Sequence, residues 1–226
     1  MLFALAAAFL LAIIVLPQIW VRHTIARHSN DRPDLPGTGG ELARHLLNRF
    51  DLPHVGVETT QMGDHYDPES KVVRLLPQHH DGRSLAAVAI AAHEVAHALQ
   101  DAGGERMLTL RQRLVKFAAA SDRIAGIFFI AAPILGVLLR APAALFGVMA
   151  IGVALLSVRV IVNLVTLPVE LDASFGKAMP ILKEDGYLPE DDLPAAGSVL
   201  RAAAFTYVAS ALISLVNLAR WIRLLR

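Results

Sequence analysis

Cysteine is absent from the 226-residue sequence, which excludes disulfide staples, thiolate metal ligands and a cysteine nucleophile. Charge is scarce: 18% of residues are Asp, Glu, Lys or Arg, against about 25% in ordinary soluble domains. A net charge of +1 supplies no basic excess for holding a nucleic acid. Internal repeats and low-complexity tracts are missing too, and the 55% hydrophobic content excludes a disordered or collagen-like chain. What the sequence has in excess is apolar residues in long blocks, with a mean hydropathy of +0.50.

A helix needs about 20 mostly apolar residues to cross a bilayer, and four blocks approach that length. Met1–Val21 carries no charge. It reads as an anchor rather than a cleaved signal, since no basic residue precedes Arg22 and Trp20 suits an interface. Ile124–Leu139 and Ala144–Thr166 form a hairpin around a turn at 140–143, and Ala202–Ala219 closes on Arg220, Arg223 and Arg226. The expected chain is therefore mainly α and integral to a membrane. Four spans accompany a small α+β, zincin-like segment: an anchor (1–21), a soluble segment (22–123), a transmembrane hairpin (124–167), a second soluble segment (168–201) and a last span (202–226). Arg22, Arg27 and Arg32 favour a cytoplasmic soluble segment by the positive-inside rule, whereas the C-terminal arginines favour the opposite.

Within the soluble segment, 31–40 reads as a Pro/Gly linker and Glu41–Phe50 as a short amphipathic helix. Two extended runs, His54–Glu58 and Lys71–Leu76, flank a turn sequence at Asp67–Ser70, as in a hairpin or part of a small sheet. Ser84 is positioned to cap a helix over 85–100. From Leu85 to Ala92 that helix is apolar on every face, too short to span lipid, and so belongs in a core.

Into this dry helix the sequence places His93-Glu94-Val95-Ala96-His97, an HExxH pattern. Residues four apart on a helix lie one above the other. Both imidazoles can then reach one cation, with Glu94 about 100° around, beside a water on that cation. Buried without a partner, His-Glu-His would be costly; a metal removes the cost. Catalytic zinc generally takes three protein ligands, and no histidine follows His97, so the third is a carboxylate from further on or a histidine from upstream. A downstream ligand must return to the same side of the membrane, which two spans achieve. Directly after them come Glu170 and Asp172. Arg159, Asn163, Thr166 and Glu170, spaced 4, 3 and 4 apart, fall within an arc of about 60° on an α-helix. The stripe favours Glu170 as third ligand, with Asp172 as competitor or as support for a ligating histidine.

Tyr66-Asp-Pro68, Gly82-Arg-Ser84, the stretch 91–100, Leu167–Ser174 and Thr206–Ala209 together resemble the YugP-like family of bacterial membrane neutral zinc metallopeptidases. The likeness runs in order over nearly the whole chain; one departure is Ala96, where the family commonly has Gly. The resemblance implies a peptidase of the gluzincin type in the bacterial plasma membrane. It carries one zinc per chain, held by His93, His97 and Glu170, uses Glu94 as base, and takes a peptide or protein as substrate.

Further candidates are less determined. Lys71–Leu76 could be an edge strand holding an extended substrate or an ordinary sheet strand. His65, Tyr66, Arg83 and Tyr207 are candidate oxyanion donors. His79 and His80 read as a solvated pair rather than metal ligands. Arg159 either pairs with a carboxylate of the site or snorkels to the interface. The rival to an enzyme is a membrane protein that binds zinc structurally, with all four positions closed by protein, or that handles the ion itself.

Overall fold

The structure is a computed structural model, described here for residues 2–139, 142–184 and 186–224. It is mainly helical: α1 (Leu2–Arg27), α2 (Gly39–Arg49), α3 (Pro77–His80), α4 (Leu85–Ala102), α5 (Arg106–Leu139), α6 (Pro142–Leu171), α7 (Met179–Glu184) and α8 (Leu193–Leu224). A π-helix, Asp172–Ala178, joins α6 to α7, and a 3-10 turn, Glu190–Asp192, precedes α8. Three short strands, β1 (Gly56–Thr59), β2 (His65–Asp67) and β3 (Val72–Leu75), complete the fold. Two compact units are formed, one from Met1–Pro17, Leu110–Leu167 and Tyr207–Arg226, the other from Gln18–Thr109 and Pro168–Thr206.

In the first unit the expectation of four spans is corrected to two. Among the described residues, the stretches long and apolar enough to cross a membrane are Ala150–Glu184 and Glu190–Ser214, which continue into the second unit. Ile124–Leu139 is helical, but its 16 residues fall short of the length lipid requires, and the α5 sequence before it is charged. The expected anchor Met1–Val21 is helical from Leu2 within α1, and most of its side chains lie outside the described residues. Arg159 pairs with Asp122 at 2.5 Å in this unit.

The second unit is built around α4. Its run of alanines leaves no face for water, and the helix is buried along nearly its whole length. Ser84 caps it, accepting from the Ala87 N–H at 3.1 Å. Alanine also permits close neighbours. Helix α2 packs on α4, and a Cβ at Gly39 would lie 2.2 Å from the His79 carbonyl oxygen and 2.8 Å from that of Ala87. The start of α2 is fixed by a reciprocal cap: Thr38 accepts from Glu41 N, and Glu41 accepts from Thr38 N at 2.8 Å. Leu46 and Leu47 from α2, Val73 and Leu75 from β3, Val95 from α4, Leu182 from α7 and Leu200 from α8 meet in a single core.

The two extended runs belong to one sheet, but they are not a hairpin. β1 and β3 pair in parallel, Gly56 opposite Val72, while β2 pairs antiparallel with β3, Tyr66 opposite Val73. The turn lies between β2 and β3, where Asp67 Oδ1 accepts from Glu69 N at 2.9 Å and from Ser70 N at 3.4 Å. The strand order is β1-β3-β2. Lys71–Leu76 is therefore the middle of the sheet, with both edges already paired, and cannot receive a substrate strand. His79 is also corrected. It is 2% exposed on the one-turn helix α3 rather than solvated, and its Nδ1 lies 2.8 Å from Asp64 Oδ2.

Candidate metal centre

The centre lies wholly in the second unit. Helix α4 carries His93 and His97 on one buried face, their rings edge to face with centroids 4.7 Å apart. The end of α6 brings Glu170, 1% exposed, against them. Its Oε2 lies 3.2 Å from His93 Nε2 and 3.4 Å from His97 Nε2, and one ligand atom from each residue falls within 4.8 Å of the other two. Glu94 is buried on the same helix.

The outer nitrogens decide what the inner ones can do. Ser174 Oγ lies 3.1 Å from His93 Nδ1 and 3.2 Å from the Leu200 carbonyl oxygen. A carbonyl only accepts, so the single hydroxyl proton goes to Leu200 and His93 Nδ1–H donates to serine. On His97, Nδ1 lies 2.8 Å from Gln100 Oε1, while Gln100 Nε2 donates to Val169 O at 3.1 Å and to Asp172 Oδ2 at 2.8 Å. That pattern fixes the amide, and His97 Nδ1–H donates to it. Both histidines thus carry their proton on Nδ1 and turn an Nε2 lone pair toward one carboxylate oxygen.

Two lone pairs and an anionic oxygen at 3.2 and 3.4 Å repel one another in a dry site unless a cation lies between them. The spacing is that of adjacent corners of a tetrahedron, about 3.3 Å for ligands at roughly 2.0–2.1 Å from zinc. Two imidazoles and a carboxylate, without sulfur, form the donor set of catalytic rather than structural zinc. The residues present fit the ion.

Around the ligands the polar groups are paired. Asp172 does not join the three; it accepts from Gln100 and, at 2.7 Å, from Lys177, whose Nζ also reaches Glu105 at 2.8 Å. One residue beyond Gln100, Asp101 accepts from the Tyr66 hydroxyl at 2.7 Å and from Lys71 at 2.6 Å, tying sheet to helix. Burial and that bond to Asp101 raise the Tyr66 phenol above its usual range, so it stays a donor. Hydrogen bonds from Ser70 and Arg74 hold the Asp67 carboxyl below the usual carboxylate range.

The remaining sequence candidates lie elsewhere. His65 opens β2 with Nδ1 2.8 Å from the Gly63 carbonyl oxygen. Arg83 precedes α4, its carbonyl accepting from Arg32 N at 2.7 Å. Tyr207 belongs to the first unit, where Arg111 donates to its hydroxyl. Arg159 is in that unit as well, with Asp122.

Comparison with known proteins decides the relationship. The profile of a family described as "Putative neutral zinc metallopeptidase" matches residues 3–226. The chain belongs to this family. A curated protein named "Putative membrane protease YugP", from Bacillus subtilis (strain 168), is 34% identical over 207 residues, covering 91% of this chain and 88% of the relative. No solved structure matches. For a member of the zinc metallopeptidase family, the residues that the sequence did not single out by role are Gln100 and Ser174. Each is fully buried and bonds the Nδ1 of one histidine of the pair. Both lie in stretches that carry the family likeness, and that was the one signal available for them.

Proposed function

We propose that this chain is a membrane-embedded zinc metallopeptidase, with His93, His97 and Glu170 as ligands of one zinc ion and Glu94 as general base. The observation that carries the reading is the convergence of two Nε2 lone pairs on Glu170 Oε2 in a buried site. Family membership and the name of the Bacillus relative support it.

When bound, zinc supplies Lewis acidity, favouring loss of a proton from water and polarising a carbonyl. The chain does the rest. Glu94, buried and one residue after a ligand, takes the proton of the attacking water and returns it to the amine nitrogen as the C–N bond breaks. Ser174 and Gln100 keep the imidazole protons on Nδ1. Burial of the three ligands keeps bulk water from competing for the ion.

The segment that carries Glu170 lies within the apolar stretch Ala150–Glu184, which supports action at or in the bilayer. Arg22, Arg27 and Arg32 support a cytoplasmic site at a bacterial plasma membrane. Because the native chain has no cysteine, single cysteines introduced at 31–38 can be labelled in intact cells to test that side. Labelling by an impermeant reagent would refute it.

Glu94→Gln tests the chemistry. Purified protein should hold one zinc per chain before and after the change, while hydrolysis of a membrane-protein substrate falls by about 10²-fold or more, the scale of a lost general base. Full activity in the variant would sink the peptidase reading and leave a structural zinc, which needs no carboxylate at that position.

A further inference from the structure

We propose that Gln100 is a positioning residue of the metal centre: its single amide sets the His97 tautomer and at the same time holds the segment that carries Glu170. The inference rests on the zinc reading above. Gln100 is 0% exposed, and its amide is used in full. Oε1 accepts from His97 Nδ1 at 2.8 Å, and the two N–H donors go to Val169 O at 3.1 Å and Asp172 Oδ2 at 2.8 Å. An amide has no further proton to give. The opposite rotation would aim Oε1 at two acceptor oxygens and the NH2 at a nitrogen that must keep its proton, so one orientation is imposed.

The partners make this more than a filled space in the core. Val169 immediately precedes Glu170 and Asp172 follows it by two residues, so Gln100 holds the ligand's segment on both sides, by a backbone carbonyl before it and a side-chain carboxylate after it. Asp172 is in turn fixed by Lys177 at 2.7 Å, and Lys177 by Glu105 at 2.8 Å, beyond the C-terminal end of α4. The chain of contacts leaves α4 at Gln100, passes through the π-helix and returns to the residue before α5. His93 has a simpler arrangement, a serine hydroxyl bonded on to Leu200. Ser174 also ties a histidine to the Glu170 segment, but through one hydroxyl; the Gln100 amide bonds that segment at two points, on either side of Glu170.

Packing and positioning predict different results for four variants of the full-length protein: Gln100→Met, Gln100→Glu, Gln100→Glu/Asp172→Asn and Asp172→Ala. Zinc affinity is read by competition with a chromogenic chelator, and stability by the melting temperature of metal-free protein. Gln100→Met keeps the volume and removes the acceptor; zinc affinity should fall by roughly 10- to 100-fold. The metal-free melting temperature should fall as well, because His97 Nδ1–H and Val169 O lose a buried partner, so rescue in the double variant separates positioning from packing. Gln100→Glu keeps an acceptor for His97 but turns a carboxylate oxygen toward Val169 O and Asp172, and should lose a similar factor. Adding Asp172→Asn gives the introduced carboxylate a donor and should restore most of the loss, a rescue that simple packing does not predict.

Wild-type affinity in Gln100→Met, or a double variant no better than Gln100→Glu, would overturn the proposal. Asp172→Ala alters a side chain 42% exposed, so it serves even where Gln100 variants do not fold. It should weaken zinc several-fold, and unchanged affinity overturns the proposal. Wild-type protein that holds no zinc refutes the metallopeptidase reading itself, whereas zinc-loaded wild type with indifferent variants refutes only the role of Gln100.

Discussion

Helix α4 and the segment from Pro168 to Ala178 build one centre by opposite means. Helix α4 is regular throughout; two histidines four residues apart share a face because the α-helical repeat puts them there, and alanines around them let other elements close in. The second segment is irregular. It has a proline inside α6, then a π-helix, and a glycine at 176 where a Cβ would sit 2.4 Å from Asp172 Oδ1. Yet within five residues it supplies Glu170, the Asp172 that anchors Gln100 and the Ser174 that holds His93. On a regular helix, residues 170 and 172 would point about 200° apart; here both serve one site. Periodicity suffices to aim two ligands, whereas a ligand together with its supports calls for a break in periodicity, as π-helical turns at functional sites often provide.

Removing ligands from either side probes the comparison most strongly. His97→Ala and Glu170→Gln should each weaken zinc binding by more than about 100-fold, beyond the range of supporting partners, as measured by metal content after dialysis. If Glu170→Gln retains zinc as wild type does, the irregular segment contributes no ligand and the contrast fails. The next effect separates fold from site. Gly39→Ala drives a methyl into backbone carbonyls of α3 and α4, and should cost about 3 kcal/mol in denaturant unfolding. Gly176→Ala meets only the end of the Asp172 side chain, so stability should change by about 1 kcal/mol or less while zinc affinity drops. The smallest effect is at the cap: Ser84→Ala should cost about 1 kcal/mol and leave zinc affinity unchanged, since α4 is held along its length by packing.

The sequence reveals these two regions unequally. The HExxH helix, its burial and its Ser84 cap follow from local rules. Glu170 follows from an argument about sides of a membrane, and the structure brings its carboxylate within 3.4 Å of both imidazoles. The supports do not follow. Gln100 and Val169 are 69 residues apart, His93 and Ser174 81, and no local pattern announces a hydrogen bond made across that distance. Strand β2 escaped notice because His-Tyr-Asp is three residues of mixed polarity with no alternation to read. His79 looked solvated because its neighbours are polar, whereas α3 packs against α4 and α2 and the His79 ring bonds Asp64, contacts that no local pattern announces. One of the two spans in excess arose from treating 16 apolar residues in α5 as equivalent to a full crossing; the other, Met1–Val21, has most of its side chains outside the described residues.

The three proposed ligands come from two stretches that α5 and most of α6 separate in the chain, so an ion held by them would close a long loop. Proteins exported to oxidising compartments often gain such closure from a sulfur–sulfur bridge, which this sequence has no atoms to make. An ion that binds the folded arrangement and ignores the open chain lends its binding energy to folding. On the zinc reading proposed above, metal starvation would loosen the scaffold as well as silence it, and the amount of intact protein in a cell would track the supply of zinc.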